Sequence, residues 1–203
     1  MAAPQEEFVI YTDMVGDLFH CGHVNFLRQC REVATPEEAA GKKVVLIVGI
    51  HSDELVDSYK RKPLLTMQER MDSAAGCKYV DRVLGNAPMG INQEYLDLHQ
   101  IDRVAGGEGD GFLSSNEADE DEEAAKALAA KMVAMSDEER TPYLAALSEE
   151  ERAKTLACWH DRQYDLIVTL GIFRGIPYTP GISTTDIIGR IIERHAEGAL
   201  QKQ

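Results

Sequence analysis

Two histidines three residues apart, His20 and His23, bracket Cys21 and Gly22, just after an apolar run, Phe8-Val9-Ile10-Tyr11, has passed through a turn at Asp13 to Asp17. Val24, Phe26, Leu27 and Cys30 follow at near-helical spacing, which sets the histidines at a helix N-terminus. Amides there favour anions. Imidazoles beside them can donate hydrogen bonds to phosphate oxygens and stabilise the charge that grows during phosphoryl or nucleotidyl transfer. Gly16 and Gly22 let backbone approach a ligand closely. Two other readings stay open for such a pair taken alone: structural histidines satisfied by their neighbours, or a zinc pair, although neither a third ligand nor a CxxC accompanies it. Cys21 reads as a filler rather than a nucleophile.

A second segment points the same way. Thr179-Pro180-Gly181-Ile182-Ser183-Thr184-Thr185-Asp186 leads into Ile187, Ile188, Ile191 and Ile192, so hydroxyls and a glycine open an amphipathic helix whose N-terminus can also meet phosphate. Any helix wants such a cap. The signal gains weight only beside the histidine site. Lys60, Arg61 and Lys62, with Arg70 on the next helix, offer the local positive charge that a polyanionic substrate needs, although a short basic cluster alone also reads as solvated surface.

The elements that must carry these residues alternate. Apolar runs at Phe8 to Tyr11, Val44 to Ile50, Tyr79 to Leu84 and Ile101 to Ala105 are separated by helical patterns, which predicts an α/β fold with a parallel sheet and crossover helices. Thr66 and Glu69 form a capping box that starts the helix carrying Arg70 through Ala75, and Asn92 or a neighbour opens one through Leu98. Tyr164 to Leu170 reads as helix with Gly171 as its stop, and Ile172 to Pro177 as a short extended segment. Ligands of open α/β sheets gather at the carboxyl ends of the strands, where Asp13 to His23, His51 to Asp53 and Gly106 to Asp110 all fall.

Residues 111–163 differ, with thirteen acidic against six basic side chains, a net of −7 and half the −14 of the whole 203-residue chain. Glu117 to Glu123 is nearly all acidic, Ala124 to Met135 reads as helix, and capping boxes recur at Ser136/Glu139 and Ser148/Glu151. The expectation is an acidic helical insertion within a single domain spanning 1–203: a solvated excursion, a lid or a partner surface. The negative charge argues against general nucleic-acid binding. No apolar run is long enough to span a bilayer, and the N-terminus lacks a secretory pattern. Cys21, Cys30, Cys77 and Cys158 are scattered without metal spacing, which suits a reducing compartment; the simplest reading is a soluble, cytoplasmic protein.

With HCGH near one end and TPGISTTDIIGRI near the other, the chain resembles the cytidylyltransferases that make CDP-choline, CDP-ethanolamine and CDP-glycerol. GIHSDELV, the lysine in SYKRK, the QERM helix, CKYVDRVLGNAP and YLDLHQIDRVAGGEGD fall in family order and spacing, and the choline and ethanolamine branch is the most similar. The resemblance implies a Rossmann-like three-layer parallel sheet of the HxGH nucleotidyltransferase type. It implies that the phosphate of a small phospho-alcohol attacks the α-phosphorus of CTP and expels pyrophosphate, with no covalent enzyme intermediate. Catalytic roles would fall to His20, His23 and Lys60, and nucleotide binding to Val15, Gly16, Gly22, Arg70, Thr179, Gly181, Ile182, Ser183 and Thr184. Mg²⁺ would accompany the CTP, held by triphosphate and Asp13 at most. A homodimer paired around the first helix is implied.

The chain departs from the family's pattern at five places. Tyr178 stands where the family has arginine, Val168 where it has lysine, and Gly106 and Gly107 where it has histidine and aspartate, with Glu108 and Asp110 nearby. Met89 replaces an aromatic residue that helps to cage choline, which removes a cation–π face. Arg174, Lys60 or a residue of the insertion could compensate for the missing cations. Two alternatives therefore stand beside the cytidylyltransferase reading: a nucleotide-binding homologue with impaired turnover, and an adenylyltransferase. A primary ammonium such as that of phosphoethanolamine could use Glu108 or Asp110.

Overall fold

The structure, a computed structural model, describes residues 5–107, 142–143, 146–148, 151–152 and 165–197. Most of the expected insertion lies outside them, as do Glu108, Asp110 and Tyr164. Ser148 and Glu151 do form their capping box, with the Ser148 backbone N–H donating to Glu151 Oε2 at 3.0 Å and Glu151 N–H to Ser148 Oγ at 3.3 Å.

Five parallel strands make one sheet in the order β3-β2-β1-β4-β5, a Rossmann-like α/β arrangement. They are β1 (Glu7–Met14), β2 (Lys43–Ile50), β3 (Arg82–Gly85), β4 (Arg103–Gly107) and β5 (Phe173–Ile176). Helices α1 (Cys21–Arg31), α2 (Pro36–Ala39), α3 (Asp53–Tyr59), α4 (Met67–Ala75), α5 (Gln93–His99), α6 (Asp165–Thr169) and α7 (Thr184–Ala196) flank it. Strands of such a sheet are buried on both faces, which is why β1 and β2 read as unbroken apolar runs. Phe8, Ile10, Leu46, Val48 and Ile50 pack with Leu27 and Cys30 of α1 and Ala74 of α4. The alternate residues Val9, Tyr11, Val45 and Ile47 pack on the other face with Leu96 of α5 and Ile167 of α6.

The third strand is shorter and later than its apolar run suggests. Tyr79 and Val80 belong to a turn against the core, and pairing begins only at Arg82 opposite Ile47. Asp81 explains the boundary. Its carboxylate accepts the Leu46 N–H at 2.8 Å and pairs with Arg31, so it satisfies the neighbouring strand with a side chain. Asp102 repeats the device one residue before β4, accepting the Val9 N–H at 2.8 Å. The two Asp-Arg-Val steps thus set where β3 and β4 begin. On the opposite edge Glu38 of α2 clasps Arg103 at 2.7 Å and Arg174 at 3.0 Å. Those hydrogen bonds, from Arg103 above all and then from the Thr35 backbone, hold its carboxyl down at about 2.

Strand order reverses between β1 and β4, and crevices form outside the carboxyl ends at such a point. Gly49 keeps β2 close to its neighbours: a Cβ there would stand 2.2 Å from the Tyr11 hydroxyl oxygen and 2.8 Å from Ala87 Cβ. That hydroxyl lies 3.3 Å from the hydroxyl of Tyr95, so a polar pair is held inside the layer between sheet and α5.

Candidate active site

At the crevice, the turn after β1 and the first turn of α1 form one wall. His20 is the N-cap of α1, with extended backbone, and its Nδ1 accepts the Gly22 N–H at 3.1 Å. The His20 N–H in turn donates to Nδ1 of His23 at 3.2 Å. Two imidazoles thus build a reciprocal capping box usually made by Ser or Thr with Glu. Both rings offer Nδ1 as an acceptor, so in the neutral state each carries its proton on Nε2. That edge is left to the cleft that both residues line.

Charge is withheld from these rings. Burial chiefly, then the neighbouring His20 ring, holds His23 down at about 4 against the opposing Asp17. His20 is lowered too, by burial and then by Arg190, with Asp186 opposing. The rings stand 4.0 Å apart between centroids, and Phe19 stacks on His23. Two imidazolium ions so close would repel. At neutral pH the pair presents uncharged N–H donors.

The opposite wall is the loop into α7. Ser183 caps that helix, accepting the Asp186 N–H at 3.0 Å. Gly181 turns the chain at φ +81°, a left-handed conformation that L side chains rarely adopt. Ile182 reaches the first helix: a Cβ on Gly22 would lie 3.1 Å from Ile182 Cγ2 and 2.8 Å from the His20 ring. Thr184 Oγ1 donates to the Asp17 carbonyl at 3.0 Å, and Asn25 Nδ2 to Thr179 Oγ1 at 2.8 Å. Two helix N-termini therefore share one cleft of about 520 Å³, to which Val15, Gly16, Gly22, Lys60, Thr179, Ile182, Ser183 and Thr184 all contribute.

Arg70 is placed differently from the others. It is 0% exposed and does not line the cleft. Its guanidinium donates to the carbonyls of Val15 at 2.5 Å, His51 at 2.8 Å and Leu65 at 3.2 Å, and pairs with Asp53 at 2.6 Å. It stitches the turns after β1 and β2 to α4 from behind. Arg174 is likewise tied to Glu38 and to backbone carbonyls, and Val168 is exposed on α6 away from the cleft wall. Tyr178 does line the cleft, with its hydroxyl donating to the Ile182 carbonyl at 3.0 Å.

Asp17 falls within the stretch expected at the ligand end of β1, but its sequence context assigned it no role. Its buried carboxylate accepts the N–H groups of Leu64 and Leu65, at 3.1 and 3.0 Å, and so fixes the far end of the loop that carries Lys60. Through its carbonyl it also holds Thr184. His51, expected beside the crevice from its place at the carboxyl end of β2, is buried there and lines the cleft. The sequence placed both at the ligand end of the sheet without a role for either, because their partners are chain segments brought together only by the fold. Among the described residues no group of three or more His, Cys, Asp and Glu side chains forms a metal-binding set, and no helix is long and apolar enough to cross a membrane.

A family model described as cytidylyltransferase-like matches residues 16–190. The chain is 28% identical over 192 residues to choline-phosphate cytidylyltransferase 2 of Arabidopsis thaliana, covering 95% of this chain and 47% of that protein. It is 31% identical over 183 residues to the choline-phosphate cytidylyltransferase of Saccharomyces cerevisiae, covering 90% of this chain and 31% of that one. The ethanolamine-phosphate cytidylyltransferase of Dictyostelium discoideum is 28% identical over 183 residues, covering 90% and 36%. The chain thus spans between about a third and a half of the length of these relatives.

Two measurements test this geometry. Replacing Arg70 by Met keeps bulk but leaves three carbonyls and Asp53 without their donor, so urea unfolding should show a loss of about 3–5 kcal/mol; a change under ~1 kcal/mol contradicts the stitching role. The second concerns His23, whose folded-state value of about 4 lies below that of an unfolded histidine. Above about pH 6.5 both states are neutral; below it the unfolded chain binds a proton that the folded chain refuses, so stability falls as pH drops toward about 4. His23→Gln should lessen the stability lost between about pH 7 and pH 5, an equal loss in both proteins being the contrary result.

Proposed function

The chain belongs to the cytidylyltransferase-like family, and from that premise we propose that it moves CMP from CTP onto the phosphate of a small phospho-alcohol of the phosphoethanolamine or phosphocholine class. An acceptor phosphate oxygen attacks the α-phosphorus, the bond from that phosphorus to the bridging oxygen breaks, and pyrophosphate leaves. The product would feed phospholipid synthesis. One observation carries the reading: the imidazoles at the start of α1 and the hydroxyls at the start of α7 line the same cleft.

The geometry supports the following roles. Nε2–H of His20 and of His23 would donate to phosphate oxygens and to the charge that develops as pyrophosphate departs; donors already locked in place need no reorganisation at that moment. Gly16 and Gly22 would admit the nucleotide to the backbone, and Ser183 and Thr184 would present the N-terminus of α7 to the triphosphate. Lys60 is exposed at the rim, where it would meet the triphosphate tail. Arg70 would act through the turn at Val15 rather than by touching nucleotide. Mg²⁺ would enter with CTP as part of the substrate, which supplies its oxygen ligands.

A second reading, nucleotide binding without turnover, draws on one observation. Val168 and Tyr178 stand where the family carries cations, and Arg174, the candidate replacement, is committed to Glu38. Pyrophosphate release with CTP, Mg²⁺ and a panel of phospho-alcohols separates the two. We expect CDP-alcohol and pyrophosphate in equal amounts, with turnover cut on the order of 10²–10³-fold by His20→Ala or His23→Ala. Thermal stabilisation by CTP with no pyrophosphate from any acceptor supports the second reading, and stronger stabilisation by ATP than by CTP overturns the choice of nucleotide.

A further inference from the structure

Thr179 lines the cleft, yet what its hydroxyl offers there is decided by residues of α1 that do not line it. Asn25 and Arg28 follow the histidines on that helix. Arg28 donates from Nη2 to Oδ1 of Asn25 at 3.0 Å, and from Nη1 to Oε2 of Glu32 at 2.6 Å. A guanidinium only donates, so the Asn25 atom beside it is the carbonyl oxygen and the amide has one orientation. Its Nδ2 is thereby turned to Thr179, 2.8 Å from Oγ1. An amide nitrogen also only donates, so in this contact the threonine oxygen accepts.

That fixes the polarity of the hydroxyl. An oxygen that accepts from Asn25 must send its own proton in another direction, and among the described residues no acceptor takes it. Thr179 stands in the cleft wall just ahead of the Ser183 cap of α7, where unpaired amides favour an anion. A hydroxyl proton left over at such a place suits a ligand atom that only accepts, and phosphate oxygens are of that kind. A bond that merely tied the loop to α1 would serve equally well in either direction. One that sets a donor would not.

We propose that Asn25, oriented by Arg28, is a positioning residue that keeps the Thr179 hydroxyl as a hydrogen-bond donor to a phosphate oxygen of the nucleotide. The inference rests on the nucleotidyl-transfer reading of the cleft and adds to it a residue outside both phosphate-facing segments. Asn25 acts through Thr179 and takes no part in bond making. The chain from Glu32 through Arg28 and Asn25 to Thr179 carries the donor direction from the surface of α1 to the opposite wall.

Asn25→Asp discriminates, because it keeps the shape and the tie while reversing the bond. The carboxylate pairs with Arg28 and accepts from Thr179, which then shows the cleft a lone pair instead of a proton. The urea midpoint should not fall, whereas calorimetric titration with α,β-methylene-CTP, which reads affinity without turnover, should show binding weakened about 10–100-fold. Thr179→Val removes the hydroxyl and should weaken binding comparably, and Thr179→Ser should retain it. Added to Thr179→Val, Asn25→Asp should change the affinity by less than ~2-fold, since the two act through one group. The proposal is overturned by unchanged affinity in Asn25→Asp, by a loss that persists in full in the Thr179→Val background and so belongs to the new charge, or by a wild-type protein that binds no analogue. Unchanged affinity in Asn25→Asp with normal pyrophosphate release removes this inference alone, whereas a hydroxyl-dependent loss with no release from any phospho-alcohol removes only the proposed turnover.

Discussion

The hydrogen bond from the Gly22 N–H to Nδ1 of His20 decides what the cleft can do. Because it, together with the bond from the His20 backbone to His23, spends both Nδ1 atoms on capping α1, it sets the tautomer of both rings and keeps both Nε2–H groups out of the cap. The same bond explains the glycine. A methyl group at position 22 would stand inside contact distance of the His20 ring and against Ile182, so any side chain there pushes apart the two walls whose approach defines the site. Helix cap, tautomer and cleft width are consequences of one local arrangement.

Two charged residues hold chain segments together around that wall, Arg70 from behind it and Asp17 within the cleft lining. Arg70 sits fully buried, its charge met by three carbonyls and Asp53, and such a cation is tolerated only when its donors are satisfied. Asp17 does the reverse with an anion, gathering backbone N–H groups from the loop after α3 and, through its carbonyl, the first residue of α7. Lys60, His20 and Ser183 come from distant parts of the sequence. Arg70 and Asp17, the latter through both its carboxylate and its backbone carbonyl, tie together the segments that carry them.

Much of this was legible in the order of residues. Strands β1 and β2 declare themselves because a parallel strand buried on both faces must be apolar throughout, and Thr66 with Glu69 marks the start of α4 by satisfying orphan amides. The turn, the histidines and the TPGIST segment were visible through their spacing. What stayed hidden depends on contacts across the fold. Apolar Tyr79 and Val80 resemble strand, yet Asp81 takes the neighbouring strand's N–H and delays pairing to Arg82. Thr35 with Glu38 and Ser52 before Asp53 carried capping signals for α2 and α3 that compete poorly with stronger patterns nearby. An arginine's letter gives its charge but not its surroundings, so Arg70 reads as a phosphate ligand although carbonyls enclose it. Histidine is not among the favoured caps, which left the reciprocal His20–His23 box unseen.

The central claim is that both imidazoles are neutral at physiological pH and bear their protons on Nε2. Long-range ¹H–¹⁵N spectra of the histidine side chains report it directly. At pH 7 the account predicts a pyridine-like Nδ1 and a pyrrole-like Nε2 in both His20 and His23, with CTP shifting the Nε2 resonances and leaving the tautomers unchanged. Protons on Nδ1, or doubly protonated rings at that pH, would contradict it.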